Sequence, residues 1–133
     1  RSGAFVAMVV EVVRIKNSLK VVKVTAAVDC GTVVNPDIVK AQTEGSIVMG
    51  LTATYKSKIT IANGKVVEQN FDNYKMLMLH ECPDIEVTVI QSEDPPEGAG
   101  EAGLPTVAPA LANAIHDLTG KRIRSLPFSL ESI

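Results

Sequence analysis

The 133-residue sequence contains no tryptophan, and its aromatic residues amount to 4% of the chain. So few rings disfavour a platform on which nucleic-acid bases could stack. An excess of one charge is also lacking, because 13 basic residues stand against 15 acidic ones and the formal net charge is -2. A dedicated nucleic-acid binder would instead carry a basic stripe. We therefore expect no nucleic-acid partner.

Long apolar runs and cysteines are also scarce. One of the longest apolar runs, residues 4–10, has only the length of a strand, so no membrane span is expected. Cys30 and Cys82 lie far apart without a CxxC spacing. One disulfide and two buried thiols both fit this pattern, and two buried thiols are favoured. His80 and His116 have no metal-ligand spacing to either cysteine, so we expect no metal site built by the chain itself.

Apolar residues are abundant, at 46% of the chain, and they recur with the period of strands and helices. We expect residues 1–133 to form a single α+β domain, with a mixed β-sheet and two main helices. Turn residues around Asn17 separate two β-rich runs and predict a hairpin. The predicted strands are residues 4–13, 19–29, 58–62, 65–67 and 84–90, and the pair Asn63-Gly64 predicts a tight turn between the third and the fourth.

The first helix is predicted to start at Asn35-Pro36-Asp37, which combines an N-cap residue, a proline at the first helical position and an acidic first turn. The residues expected on one helical face are Ile38, Gln42, Gly45 and Met49. Gly45, Ser46 and Gly50 are unfavourable in an isolated helix and favour close approach to another backbone or a ligand.

The second helix is predicted to begin near Thr106, with Pro109 in its first turn, and to end at Gly120. Its expected buried stripe is Val107, Leu111, Ala114 or Ile115, and Leu118. Residues 123–128 could form a last extended segment, and residues 70–83 are interpreted as a loop.

The loop of residues 98–103 is the strongest candidate for chemistry, because it places Glu101 between glycines just before a helix. Glycines let a backbone approach a bound group closely, and a carboxylate there can serve as a general base. The alternative is that Glu101 only caps the helix or lies in solvent.

Two further candidates are Gln42 and Asp29. An amide on a small-residue helical face is suited to binding a ligand through hydrogen bonds. The alternative for Gln42 is an ordinary surface glutamine. Asp29 ends a strand, where sites are often found, but it could equally cap a turn.

Three ordered blocks resemble the xanthine dehydrogenase and aldehyde oxidase family of molybdenum hydroxylases. They are VDCGTVVNPD at 28–37, QTEGSIVMGL at 42–51 and GAGEAGLPTVAPALANA at 98–114. The likeness is to the large, molybdopterin-binding subunit of isoquinoline 1-oxidoreductase-type enzymes, and it covers essentially the whole chain. Many members have proline directly after the glutamate of the third block, whereas this chain has Ala102-Gly103.

The resemblance implies the fold of the C-terminal portion of a molybdopterin-binding domain. It also implies hydroxylation of an N-heterocycle or aldehyde with water as the oxygen source. Glu101 matches the catalytic glutamate, which takes a proton from a hydroxyl group on molybdenum. Gln42 matches a glutamine that contacts the pterin, and Gly100 is expected to contact the cofactor as well. No residue of the chain is expected to ligate the metal.

The resemblance further implies a molybdenum–pterin cofactor in the full enzyme, expected in a dinucleotide form, with none bound stably to the isolated chain. The expected partners are the remainder of the large subunit, an iron–sulfur electron-transfer subunit and a small-molecule substrate. The chain is expected to be the C-terminal segment of such a subunit and to be inactive alone.

Two other functions fit the sequence less specifically. The chain could be a non-catalytic folding or interaction module that completes the sheet of a partner chain. A small hydrolase using Glu101 alone is disfavoured, because no partner acid, base or nucleophile lies in a matching motif.

Overall fold

A computed structural model describes residues 3–131 of the chain. Within them the strands and helices follow in the order β1 (Phe5–Ile15), β2 (Ser18–Asp29), α1 (Pro36–Tyr55), β3 (Ile61–Ala62), β4 (Lys65–Val66), β5 (Asp84–Val89) and α2 (Leu104–Thr119). A single 3-10 turn at Leu79–Glu81 interrupts the connection between β4 and β5.

The main sheet has the strand order β1-β2-β5. β1 and β2 form the predicted antiparallel hairpin, and Lys16 turns the chain between them with φ of 55°. β5 pairs with β2 in parallel, which makes the sheet mixed as predicted. β3 and β4 form a separate hairpin through Asn63 and Gly64, shorter than predicted but at the predicted turn.

Both helices pack on one face of the main sheet, where the core lies. Alternate residues of β2 face the helices, because side chains of a strand point to opposite sides in turn. The core residues that are completely or almost completely buried include Val24, Ala26 and Val28 from β2, Ile47 and Leu51 from α1, and Val107, Leu111 and Ile115 from α2. Each buried valine, leucine or isoleucine among them stabilises the fold by roughly 1.5–3 kcal/mol.

The start of α1 is as predicted, but its buried face is not. Asn35 caps the helix by accepting hydrogen bonds from the backbone N–H groups of Asp37 and Ile38, at 3.1 and 3.3 Å. The four residues expected on one face do share a face, and it is the exposed one: Ile38, Gln42, Gly45 and Met49. The buried face instead carries small residues together with Ile47 and Leu51, because this is the side on which α2 packs closely.

α2 begins at Leu104, two residues before the predicted start, and ends at Gly120, whose φ of 73° is the predicted left-handed cap. Pro109 therefore lies inside the helix rather than in its first turn. Its missing N–H leaves the carbonyl of Pro105 without the usual helical donor. Val107, Leu111 and Ile115 form the buried stripe as predicted, whereas Leu118 is 44% exposed.

Three smaller predictions have mixed outcomes. Both cysteines are free thiols, with Cys30 buried and Cys82 half-buried, so the disulfide alternative is wrong. Residues 70–83 are irregular apart from the 3-10 turn. Residues 123–128 form no strand. The tail instead joins β2 further on, through the backbone hydrogen bond from Leu19 N–H to the carbonyl of Leu130 at 2.8 Å.

Candidate functional site

The loop that carries Glu101 lies along α1, beside Gln42. Gly100 and Gln42 are neighbours, because a Cβ atom built on Gly100 would lie 3.5 Å from Nε2 of Gln42. Three residues further on, Gly103 lies against the side chain of Ser46, one helical turn after Gln42. The fold therefore brings together Glu101 with Gln42 and Gly100, which the sequence predicts as site residues.

The small residues of α1 explain why this close approach is possible. A Cβ atom at Gly50 would lie 2.6 Å from Cγ2 of Val107 and 2.9 Å from the carbonyl oxygen of Leu104. Any larger side chain there would push the start of α2 away from α1. The prediction that Ser46 and Gly50 allow a close backbone approach is confirmed. At Gly45 only the approach to another backbone is tested, and it is wrong, since no atom of the chain lies within 4 Å of the position that its Cβ would take.

The beginning of the loop is attached to the end of β2. Thr32 N–H donates to the carbonyl oxygen of Asp94 at 2.9 Å, and its hydroxyl donates to the same oxygen at 2.9 Å. Glu97 N–H donates to the carbonyl oxygen of Cys30 at 2.8 Å. These bonds anchor the segment that leads into the glycine-rich loop, three residues before Gly100.

The Glu101 side chain is exposed in this domain, and so is that of Gln42. The backbone carbonyl of Glu101 accepts a hydrogen bond from Leu104 N–H at 3.1 Å, which ties the residue to the first turn of α2. A carboxylate and an amide on adjacent segments are thus both accessible to solvent. The carboxylate can accept a proton, and the amide can donate and accept hydrogen bonds to a bound group.

Of the two roles predicted for Asp29, the described residues show that of capping a turn. Its Oδ1 accepts a hydrogen bond from the backbone N–H of Gly31 at 3.0 Å, which closes the turn after β2. This is the local turn chemistry expected of aspartate.

A separate surface cavity of about 710 Å³ lies at the opposite end of α1. It is lined by Tyr55, Lys56 and Glu81 among others, and contains none of the predicted site residues. Lys56 forms an ion pair with Glu81 there and holds the pKa of Glu81 below its usual value. Burial raises the pKa of Tyr55 to about 12. Because thirteen residues of helix span about 20 Å, this cavity is remote from Gln42.

Sequence reasoning missed the part that Gly103 and Thr43 take in building the site, and it did not pair Ser46 with Gly103. Thr43 and Ser46 are buried, and the Ser46 hydroxyl donates to the carbonyl oxygen of Thr43 at 2.8 Å. The available signal was the four-residue spacing along α1 that joins Gln42 to the small residues Ser46 and Gly50. That spacing places them on one ridge of the helix.

Within residues 3–131, no group of three or more His, Cys, Asp or Glu side chains could hold a metal ion. Nor does any helix in that range have both the length and the apolar character needed to cross a membrane.

Comparison with known proteins agrees with this architecture. Residues 2–83 match the family model of a molybdopterin cofactor-binding domain. The chain is 41% identical over 128 residues to isoquinoline 1-oxidoreductase subunit beta of Brevundimonas diminuta, covering 95% of this chain and 16% of that subunit. It is 40% identical over 105 residues to the membrane-bound aldehyde dehydrogenase [pyrroloquinoline-quinone] of Gluconacetobacter polyoxogenes, covering 79% of this chain and 14% of that protein.

Among solved structures, quinoline 2-oxidoreductase from Pseudomonas putida 86 has the same fold, with a TM-score of 0.74 at 24% identity. The match covers 83% of this chain and 15% of that one. The chain thus spans about a sixth of the length of these relatives. The family model, the sequence relatives and the shared fold agree, and the chain belongs to the molybdopterin cofactor-binding domain family of the molybdenum hydroxylases.

Proposed function

We propose that this domain supplies the proton-accepting carboxylate, and part of the cofactor-binding surface, of a molybdenum-dependent oxidoreductase. The reaction would hydroxylate an N-heterocycle or an aldehyde, with water as the source of oxygen. One observation carries the proposal: Gln42 on α1 and the loop bearing Glu101 lie side by side, although they are distant in sequence. The resemblance of these same two residues to a pterin-contacting glutamine and a catalytic glutamate supports it.

The residues of the site fit a group that brings its own metal ligands. When bound, a molybdenum–pterin cofactor, which we propose to be a dinucleotide form, supplies a redox-active metal with its own ligands. Gln42 would hold this group through its amide, which both donates and accepts hydrogen bonds. Gly100 lacks a side chain beside that amide, so the loop backbone can approach a bound group closely. The absence of a metal-ligating cluster in the described residues is compatible with such a site.

Glu101 would act as the general base. Its loop is attached at both ends, to the turn after β2 and to the first turn of α2, which supports a constant position of the Glu101 backbone beside α1. A general base must lie within hydrogen-bond reach of the proton that it abstracts. We propose that Glu101 takes its proton from an oxygen atom held next to Gln42 and releases it to solvent after turnover.

The domain would work within a larger assembly. Because it spans 16% of the isoquinoline 1-oxidoreductase subunit beta, we propose that the remainder of such a subunit completes the cofactor and substrate sites. Electrons would leave through an iron–sulfur partner subunit. The isolated chain should accordingly show no oxidation of heterocycles or aldehydes.

Substitution of Glu101 tests the proposal in the assembled enzyme. Glu101→Gln keeps the shape of the side chain and removes its basicity, so turnover should fall by roughly 100-fold or more while the molybdenum content stays near normal. Steady-state kinetics and metal analysis measure the two effects. Glu93→Gln is the matched control, an exposed carboxylate in the same connection that should leave turnover unchanged. Full activity of Glu101→Gln would refute the role.

The second candidate function, a module that completes a partner's sheet, has one observation in its favour. β1 is an edge strand, and Phe5 and Val9 on its outer side are 74% and 65% exposed. Unpaired edge strands are templates for pairing with another chain. This function requires no Glu101, so the Glu101→Gln experiment separates the two.

A further inference from the structure

The contact between Gly103 and Ser46 sets how closely the Glu101 loop can approach α1. Gly103 is buried and has an ordinary φ of -73°, so its backbone conformation would accept other residues. Space is what restricts it: a Cβ atom at Gly103 would lie 2.5 Å from Oγ of Ser46, far inside van der Waals contact. Thr43 lies next nearest, with its Cγ2 and carbonyl oxygen both at 3.5 Å.

The Ser46 hydroxyl is held in its place by a hydrogen bond. It is buried and donates to the carbonyl oxygen of Thr43 at 2.8 Å. A buried hydroxyl that gives up its hydrogen bond costs free energy, so it resists displacement. Gly103 therefore lies against an oxygen atom of α1 that a hydrogen bond holds in place.

This contact lies in the same row as the candidate site. Three residues of α1 follow one another at four-residue intervals, and each contacts the loop or the start of α2. The pairs are Gln42 with Gly100, Ser46 with Gly103, and Gly50 with Leu104. Glu101 lies between the first two of these contacts. The distance of the Glu101 backbone from α1 is thus limited on one side by Gly100 and on the other by Gly103.

We propose that Gly103 and Ser46 are positioning residues, which fix Glu101 relative to Gln42 through their close contact. The inference rests on the proposed function and adds to it the pair of residues that keeps the general base, Glu101, at a constant distance from the cofactor-binding residue, Gln42. A displacement of about 1 Å of a catalytic group can cost on the order of 100-fold in rate, so a single added methyl group should have a measurable effect.

The test uses the assembled enzyme and two substitutions, one that adds a methyl group at Gly103 and one that removes the Ser46 oxygen atom. Gly103→Ala places a methyl group 2.5 Å from Oγ of Ser46 and should displace the loop. The double variant Gly103→Ala/Ser46→Ala removes that oxygen and should accommodate the methyl group. Gly45→Ala is the control, because the added Cβ meets nothing within 4 Å.

Two readouts are needed. Hydrogen–deuterium exchange of a peptide covering residues 98–104 reports loop order without turnover, including the Leu104 N–H that donates to Glu101. For Gly103→Ala we expect faster exchange and kcat per molybdenum about 100-fold lower with little change in KM. The double variant should restore both to near wild type, and Gly45→Ala should change neither.

The outcomes separate this inference from the function on which it rests. If Glu101→Gln is inactive but Gly103→Ala exchanges and turns over like wild type, the positioning role is wrong and the proposed function stands. If Glu101→Gln retains full turnover, the proposed function fails and the positioning role fails with it. If Gly103→Ala is insoluble or loses molybdenum, rescue by Ser46→Ala supports the contact, and failure of that rescue overturns it.

Discussion

Glu81 illustrates how a single ion pair should link stability to pH. Lys56 lies beside its carboxylate, the Met78 N–H donates to it at 2.9 Å, and both lower the pKa of Glu81 in the folded chain. A group whose folded-state pKa is lowered stabilises the fold above its unfolded pKa and loses that contribution as the pH falls through the folded value. The side chains of Lys56 and Glu81 are 25% and 29% exposed, so the pair is partly shielded from water.

We therefore expect Glu81→Gln to destabilise the chain by about 0.5–1 kcal/mol near neutral pH. The difference should shrink as the pH is lowered through the acid range, where the wild-type carboxylate is protonated. Urea unfolding at a series of pH values measures this. Glu86→Gln breaks a more exposed pair with Lys23 and should have a smaller effect. A pH-independent difference for Glu81→Gln would contradict the electrostatic explanation.

At the scale of elements, the N-cap of α1 connects local sequence to the site. The Asn35 side chain accepts two backbone hydrogen bonds at the start of the helix that carries Gln42 two turns later. Asn35→Ala should cost about 1 kcal/mol in the free energy of unfolding, and Asn35→Asp should retain most of the stability. Thermal or urea unfolding of the three proteins tests this. Equal stability of the alanine variant would show that tertiary packing alone holds the first turn.

Signals that act within a few residues predicted the elements well. Asn35-Pro36 fixed the start of α1, Asn63-Gly64 fixed the small hairpin, and Gly120 ended α2. Each works through its own backbone geometry or a neighbouring N–H group, so distant contacts could not override it. The start of α2 was less predictable, because Leu104 precedes a proline and such residues usually avoid helical conformation.

The buried face of α1 could not be predicted from periodicity. Ile38 and Met49 are apolar yet 61% and 52% exposed, whereas Thr43 is completely buried. Close packing on α2 selects small side chains for the contact, and these give no hydrophobic signal. The nearness of Glu101 to Gln42 was likewise not available from spacing. Only the resemblance implied that the two residues share a site. The contact between Gly103 and Ser46 next to that site is known only from the three-dimensional structure.

At the scale of the whole molecule, the two faces of the main sheet are unequal. The helices cover one face, and no helix among residues 3–131 packs on the other. The outer face is apolar toward the start of β1, with Phe5 and Val9 exposed. On the β5 side of the same face, Glu86 lies level with Val9 across β2 and forms an ion pair with Lys23 at 2.8 Å. The exposed apolar side chains of β1 adjoin an unpaired strand edge, a combination that favours association.

We therefore expect the isolated chain to self-associate with rising concentration, through the edge and outer face of β1. Val9→Lys places a charge in the middle of this surface and should shift the chain toward monomer. Val34→Lys is the matched control, since Val34 is 97% exposed but lies in the turn before α1. Analytical ultracentrifugation over a range of concentrations measures the change. A wild-type chain that stays monomeric throughout, or equal effects of both substitutions, would show that this surface does not drive association. Selective loss of association in Val9→Lys would identify β1 as the surface through which the isolated chain associates.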